Sequence, residues 1–255
     1  MLKKFIEIFN GRKTSYGISV NTGKIREDGK NEYESEIRRS PVTDILYQKH
    51  LDGIKPTLGI IAINEDNKCK FGCVDIDTYP VEHIKYIKIL KDNNVPAIVF
   101  RSKSGGAHIY LFTKEWVMPS LMRIKLREIA ALLGRAKAEI FPKQDYINQG
   151  DVGSFLNLPY DNKNNTERHA LDEQGNKVFL EDFYKLYDEK ALTEQQLIKL
   201  FKDKEEDEDW VQAPPCLVSI LREKQAPGEM RNITFMNVAI YLKKRFPNEW
   251  KTKLL

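Results

Sequence analysis

Apolar residues recur at Leu2, Phe5, Ile6 and Phe9, a helical spacing that Gly11 ends. Tyr16 to Val20 reads as a short strand. Asn21 to Arg39 carries glycine and charge without apolar periodicity and is expected to be a loop, and Ser40-Pro41 opens a helix through Asp44, Leu46 and His50. Thr57 to Ile63 and Lys70 to Asp77 are β-rich runs, and the polar Asn64-Glu65-Asp66-Asn67 between them signals a hairpin. Pro80 is expected to start an amphipathic helix that runs to about Asn93. Ala97 to Arg101 and Ala107 to Phe112 are strands joined by the turn Ser102-Lys103-Ser104-Gly105-Gly106. A helix from Pro119 to Leu133 then leads through Gly134 to a strand, Ala138 to Phe141. This succession predicts an α/β (α+β) fold in which helices pack on a sheet.

Beyond Pro159 the apolar pattern thins, with helices expected near Leu180–Tyr187 and Thr193–Lys202. The run Lys202-Asp203-Lys204-Glu205-Glu206-Asp207-Glu208-Asp209 reads as a solvated linker. Pro214-Pro215 starts one helix after it, and Gly228-Glu229 another that reaches about Phe246. The expected organisation is a domain over residues 1–200, an acidic linker over 201–213, and the beginning of a helical domain, cut short, over 214–255.

Composition narrows the classes. The 255 residues are 41% hydrophobic and 31% charged with a net charge of +4, as in a water-soluble globular protein. No stretch approaches the roughly 20 apolar residues that span a bilayer, and Met1-Leu2-Lys3-Lys4 leads into an amphipathic run, not a signal sequence, so a cytosolic protein without membrane contact is expected. The mild net charge hides an arrangement: residues 1–160 carry a net +6, residues 161–210 a net −7 and residues 211–255 a net +5. Cys69, Cys73 and Cys216 are too few for a disulfide framework. Within one strand, Cys69 and Cys73 would stand roughly 13 Å apart, too far to share one zinc ion, so no zinc is expected.

Three elements carry candidate chemistry. In the strand containing Val74-Asp75-Ile76-Asp77, alternate residues share a face, so Asp75 and Asp77 point together. Two carboxylates held that close repel, and a divalent cation would offset the cost; a pair of Mg²⁺ or Mn²⁺ ions would suit displacement at phosphorus. In the turn from Arg101 to His108, Gly105 and Gly106 let backbone N–H groups approach a phosphate. Arg101 and Lys103 would neutralise it, Ser104 adds a hydroxyl, and His108 can donate from the outgoing strand. Glu139, on the strand before Phe141-Pro142-Lys143-Gln144, is placed to be a third metal ligand or a base. Tyr79, two residues past Asp77, could stack on a sugar or base, or simply pack at the rim.

In this order the elements resemble the catalytic domain of the archaeo-eukaryotic primase superfamily, the primase-polymerases, and especially the primases of TOTE conflict systems and related phage or CRISPR-associated enzymes. Asp75-Ile76-Asp77 resembles the first motif, Ser104-Gly105-Gly106-Ala107-His108 the second, and Glu139 the third acidic position. Phe9-Asn10-Gly11-Arg12, His50-Leu51-Asp52-Gly53, Phe141-Pro142-Lys143-Gln144-Asp145 and Asn157-Leu158-Pro159 match outside the motifs. Two features depart from the family's pattern: no cysteine cluster precedes the first motif, and Glu139 stands where many members have Asp. The resemblance implies an RRM-like mixed or antiparallel sheet flanked by helices. It implies Mg²⁺ or Mn²⁺ on Asp75, Asp77 and Glu139, and a nucleotide triphosphate on Arg101, Ser104, Gly105, Gly106, His108 and Lys143, with Tyr79 near the sugar. The implied reaction is template-directed nucleotidyl transfer from dNTP, or NTP, to a primer on single-stranded DNA. A helicase or further C-terminal domains would be partners, in a bacterial, archaeal or phage-infected cytosol. Two other readings stay open: a metal-dependent nuclease using the same carboxylates, and a non-catalytic replication-initiation module.

Overall fold

The computed structural model describes residues 1–25, 31–201 and 231–254. The chain divides into two compact units, Met1–Leu200 and Phe201–Leu255. In the first, α1 (Leu2–Ile8) is followed by β1 (Tyr16–Ile25), β2 (Asn31–Arg38), α2 (Asp44–Leu51), β3 (Thr57–Ile60), β4 (Cys69–Ile76) and α3 (His83–Asp92). Then come β5 (Ile98–Arg101), β6 (Ala107–Val117), α4 (Pro119–Leu132), β7 (Glu139–Phe141), β8 (Leu156–Asn157), α5 (Leu180–Lys190) and α6 (Glu194–Lys199). The second unit contains α7 (Arg231–Arg245) and α8 (Trp250–Leu254), where Val238 and Leu242 pack against Tyr241, Phe246 and Trp250. The acidic run, the helix expected at Pro214 and Cys216 lie outside the described residues. Among the described residues no helix is long and apolar enough to cross a membrane.

Two four-stranded antiparallel sheets replace the single sheet expected. The first has the order β2-β1-β3-β8 and the second β5-β6-β4-β7. The expected loop over 21–39 is instead largely strand, because β1 and β2 form a ribbon in register from Tyr16↔Arg38 to Asn21↔Tyr33. Its sequence signal is a period of two with no apolar run: Glu32, Glu34, Glu36 and Arg38 alternate with Asn31, Tyr33, Ser35 and Ile37. The hairpin expected at Asn64–Asn67 is also corrected. Those residues do form a turn, in which the Asn64 side chain accepts the N–H groups of Asp66 and Lys68 at 3.0 and 2.9 Å. However, β3 and β4 on its two sides belong to different sheets, and the buried Ile61 and Ile63 carry the chain across against Ile147. Helix α3 begins at His83, three residues later than Pro80 suggests, since Tyr79 and Pro80 form a bend and residues 81–82 are irregular.

The core sits mainly on one face of the second sheet. Phe71 faces Phe112 and Cys73 faces Tyr110 across β4 and β6. The Phe9 ring lies 5.7–5.9 Å from Phe71, Tyr110, Phe112 and Phe183, which joins α1 and α5 to this face. Cys69 and Cys73 are both fully buried, as packing residues should be. On the opposite face α4 lies against β4; a Cβ at Gly72 would come within 2.6 Å of Leu126 and 2.8 Å of Met122, so only glycine admits the helix this closely.

His50 is a joint in this unit. The Leu58 N–H donates to its Nδ1 at 3.2 Å, which leaves Nε2 to carry the proton and donate to the Pro159 carbonyl at 2.8 Å. One ring thereby ties α2 to β3 and to the segment after β8, and it stacks on Phe5. Burial lowers its pKa to about 4 because a charged imidazolium would be desolvated. Between the ordinary value of 6.5 and about 4 the unfolded chain takes up a proton that the folded chain refuses, so stability falls with pH across that window, by of order 3 kcal/mol if the full shift is realised. We expect the melting temperature of wild type to drop as pH falls from 6.5 toward 4. His50→Gln should start lower at neutral pH and show a flatter dependence in the same thermal melts.

Candidate active site

The register of the second sheet builds the site. Asp75 on β4 is paired directly with His108 on β6 and with Glu139 on β7, so three side chains from three strands stand in one row on one face. The row continues the buried face of Phe71 and Cys73 into an open pocket of about 520 Å³. Asp75, Asp77, Ser104, His108, Glu139 and Lys143 all line this pocket. With Lys103, seven of the eleven residues singled out in the sequence therefore meet in one place.

The turn between β5 and β6 is held from several sides. The Gly106 carbonyl accepts the Ser102 N–H at 2.9 Å and lies 3.0 Å from Nε2 of His83 on α3. Gly105 has φ +88°, which a residue with a side chain rarely adopts. A Cβ on Gly106 would stand 2.7 Å from Oδ1 of Asp77, so glycine is what allows the second aspartate to press against the turn. The Tyr79 hydroxyl donates to Ser104 Oγ at 2.8 Å, and Ser104 Oγ lies 3.2 Å from Ser102 Oγ. Tyr79 is thus placed as a brace on the turn and lies outside the pocket lining.

Arg101 departs from the expectation. Phe100, not Arg101, pairs with His108, so Arg101 falls on the other side of the sheet, where its Nη1 donates to Glu167 at 2.5 Å. The cation that the sequence reading missed is Arg168, in the segment after β8. It lines the pocket, and its Nη1 is buried with no hydrogen-bond partner among the described residues. Nothing in the local sequence marks it, because its position depends on residues 169–171 pairing along the edge of β5. Lys103, Ser35 and Ile37 also line the pocket.

The charges are unevenly satisfied. Glu139 Oε1 accepts from Lys143 Nζ at 2.6 Å. His108 Nε2 is 3.2 Å from Asp75 Oδ1 but not aligned for a hydrogen bond, and that oxygen is buried and unpartnered. The Asp77 carboxyl is held above its ordinary range by partial burial first and then by the charge of Asp75. Glu139 adds to this, while His108 and the neighbouring Tyr79 hydroxyl pull the other way. Among the described residues no three acidic, His or Cys side chains are already gathered as a finished metal cluster. Yet the donors fit a hard divalent cation: they are carboxylate oxygens, one of them buried without a partner, in a site where negative charge is poorly compensated.

Because the folded Asp77 binds its proton more tightly than an exposed aspartate, its ionisation at neutral pH weakens the fold. Asp77→Asn should therefore melt above wild type in divalent-free buffer, and millimolar Mn²⁺ should raise the melting temperature of wild type but not of the variant. A variant that melts lower without cation would contradict this account of the site's electrostatics.

Comparison with known proteins bears out the family resemblance. Residues 1–200 match the family described as the TOTE conflict system, Archaeo-Eukaryotic Primase domain. No curated protein matches the chain. Among solved structures, the chain is similar to that of primase RepB′ at 11% identity and a TM-score of 0.37, over 97% of this chain and 75% of the other. It is also similar to the catalytic domain of primase RepB′ in complex with initiator DNA, at 11% identity and a TM-score of 0.36, over 80% and 97%. With the family match spanning the whole unit that holds the carboxylate row and the glycine turn, this chain belongs to the TOTE-type archaeo-eukaryotic primase family.

Proposed function

We propose that the protein is a DNA primase-polymerase, which joins a nucleotide to the 3′-hydroxyl of a primer on a single-stranded DNA template and releases pyrophosphate. The observation that carries this reading is the cross-strand row of His108, Asp75 and Glu139 facing the same pocket as the Ser102–Gly106 turn. Acidic residues and an anion cradle in one cavity match the needs of phosphoryl chemistry better than either alone.

Asp75, Asp77 and Glu139 would hold Mg²⁺ or Mn²⁺, which when bound supplies Lewis-acid polarisation of phosphate oxygens. The chain's own groups bind and orient the nucleotide. Ser104 and the backbone N–H groups of the turn meet its phosphates, and His108 donates a hydrogen bond from the adjacent strand. Lys103, Lys143 and Arg168 offset the triphosphate charge, and Arg168 brings a buried donor without a hydrogen-bond partner among the described residues. Both dNTP and NTP fit this phosphate chemistry.

The direct test is incorporation of labelled dNTP on a primed template with Mg²⁺ or Mn²⁺. Wild type should extend the primer, and Asp75→Ala should lose at least about a hundredfold in rate, as expected for a removed group that acts on the reacting centre. Equal inactivity of both across metals and templates would overturn the proposal, and degradation of DNA without nucleotides would replace it with a nuclease. The two arginines separate cleanly. Arg168→Gln should raise KM for dNTP about tenfold, the loss of one charged hydrogen bond, while Arg101→Gln should stay within about twofold because its partner is an exposed glutamate.

A further inference from the structure

The pocket has two unlike ends. The charged row and the turn lie on the second sheet, whereas the first sheet contributes Ile37, Phe155, Leu156 and Asn157, none of them charged. The geometry of that neutral end is unusual. Ile37 pairs with Gly17, Gly17 with Gly59, and Gly59 with Asn157, so one row across four strands reads large, glycine, glycine, large. The two central glycines leave a trough, and the Phe155 ring lies in it. A Cβ on Gly17 would stand 2.0–2.3 Å from three atoms of that ring, and a Cβ on Gly59 would stand 2.3 Å from it. Glycines in strand interiors weaken a sheet and mark a close approach; here two of them, facing each other, are given over to seating one aromatic side chain.

Resting on the function proposed above, we propose that Phe155 is a stacking platform for the base of the bound nucleotide. With one side of the ring against glycine backbone, the aromatic surface that lines the pocket is offered to a flat ligand. Ile37 stands at one border of the trough and Asn157 at the other, with Asn157 Oδ1 held by the Ser19 hydroxyl at 3.2 Å. The triphosphate lies toward the turn and Arg168, and the base lies over Phe155. A π-face suits an enzyme that copies a template, because every base has one and stacking does not choose among them. The ring also packs against the Ile61, Ile63 and Ile147 cluster, which helps to fix its position.

The test compares binding of dATP and of inorganic tripolyphosphate to the 255-residue chain by titration calorimetry in Mn²⁺ buffer. Phe155→Leu should weaken dATP on the order of tenfold, the loss of one base–aromatic stack, and leave tripolyphosphate unchanged; Phe155→Trp should keep both. Equal weakening of both ligands, or of neither, would overturn the platform. In wild type, the triphosphate of 2-aminopurine deoxyriboside should lose fluorescence on binding through stacking, and an unquenched bound probe would overturn the platform whether or not the leucine variant folds. If wild type extends primers yet binds tripolyphosphate as tightly as dATP, the platform falls and the polymerase reading stands. If wild type binds neither and extends nothing, both fall.

Discussion

Strand β4 is hydrogen-bonded along both edges, and that double pairing decides which side chains can meet. A strand has two faces and a period of two, so sliding β6 or β7 by one residue would turn His108 or Glu139 to the other face and leave Asp75 alone. The register is held by burial. Phe71, Cys73, Phe112 and Tyr110 occupy one face among the rings of Phe9 and Phe183, and Gly72 admits α4 on the other. A slip would expose the first set and drive side chains into Met122 and Leu126. The hydrophobic effect, acting several residues away from the polar row, is what holds the row in line.

The same row is a poor arrangement for stability by itself. Like charges directly opposite across strands repel, and Asp75 faces Glu139 with Asp77 close by. The protein softens this with Lys143 on Glu139 and His108 near Asp75, and leaves the remainder unbalanced. Charge strain stored where a cation fits is common at functional sites, where environments shift carboxylates out of their usual range.

The sequence shows the parts whose meaning is local. The alternation in Val74-Asp75-Ile76-Asp77, the glycines at 105 and 106 and the strand at Glu139 each announce themselves within a few residues, and the structure brings them together. What could not be read was relational. Arg101 looks like a phosphate ligand from its neighbours, but a one-residue register with β6 sends it outward. Arg168 looks like any surface arginine until the chain after β8 returns along the edge of β5. The β1–β2 ribbon escaped because β2 alternates charged residues with a mixed set, Asn31, Tyr33, Ser35 and Ile37, so it lacked the continuous apolar stripe by which strands are usually recognised. The split of one expected sheet into two has the same origin, since no local signal says which strands pair. The matches outside the motifs prove to be joints: Gly11 lets the chain approach the Ile61 carbonyl, and His50 links three segments.

The pairing of β4 with β7 also has an entropic consequence. Asp75 and His108 meet across a short stretch containing α3 and β5, but Asp75 and Glu139 are 64 residues apart, and β7 reaches β4 only after α4 has crossed the sheet. Contacts between distant residues carry the larger loop-closure cost. The carboxylate that completes the acidic row is therefore brought in by the pairing with the larger closure cost, so the repulsive contact rests on the strand pair that most needs the packing of α4 behind it.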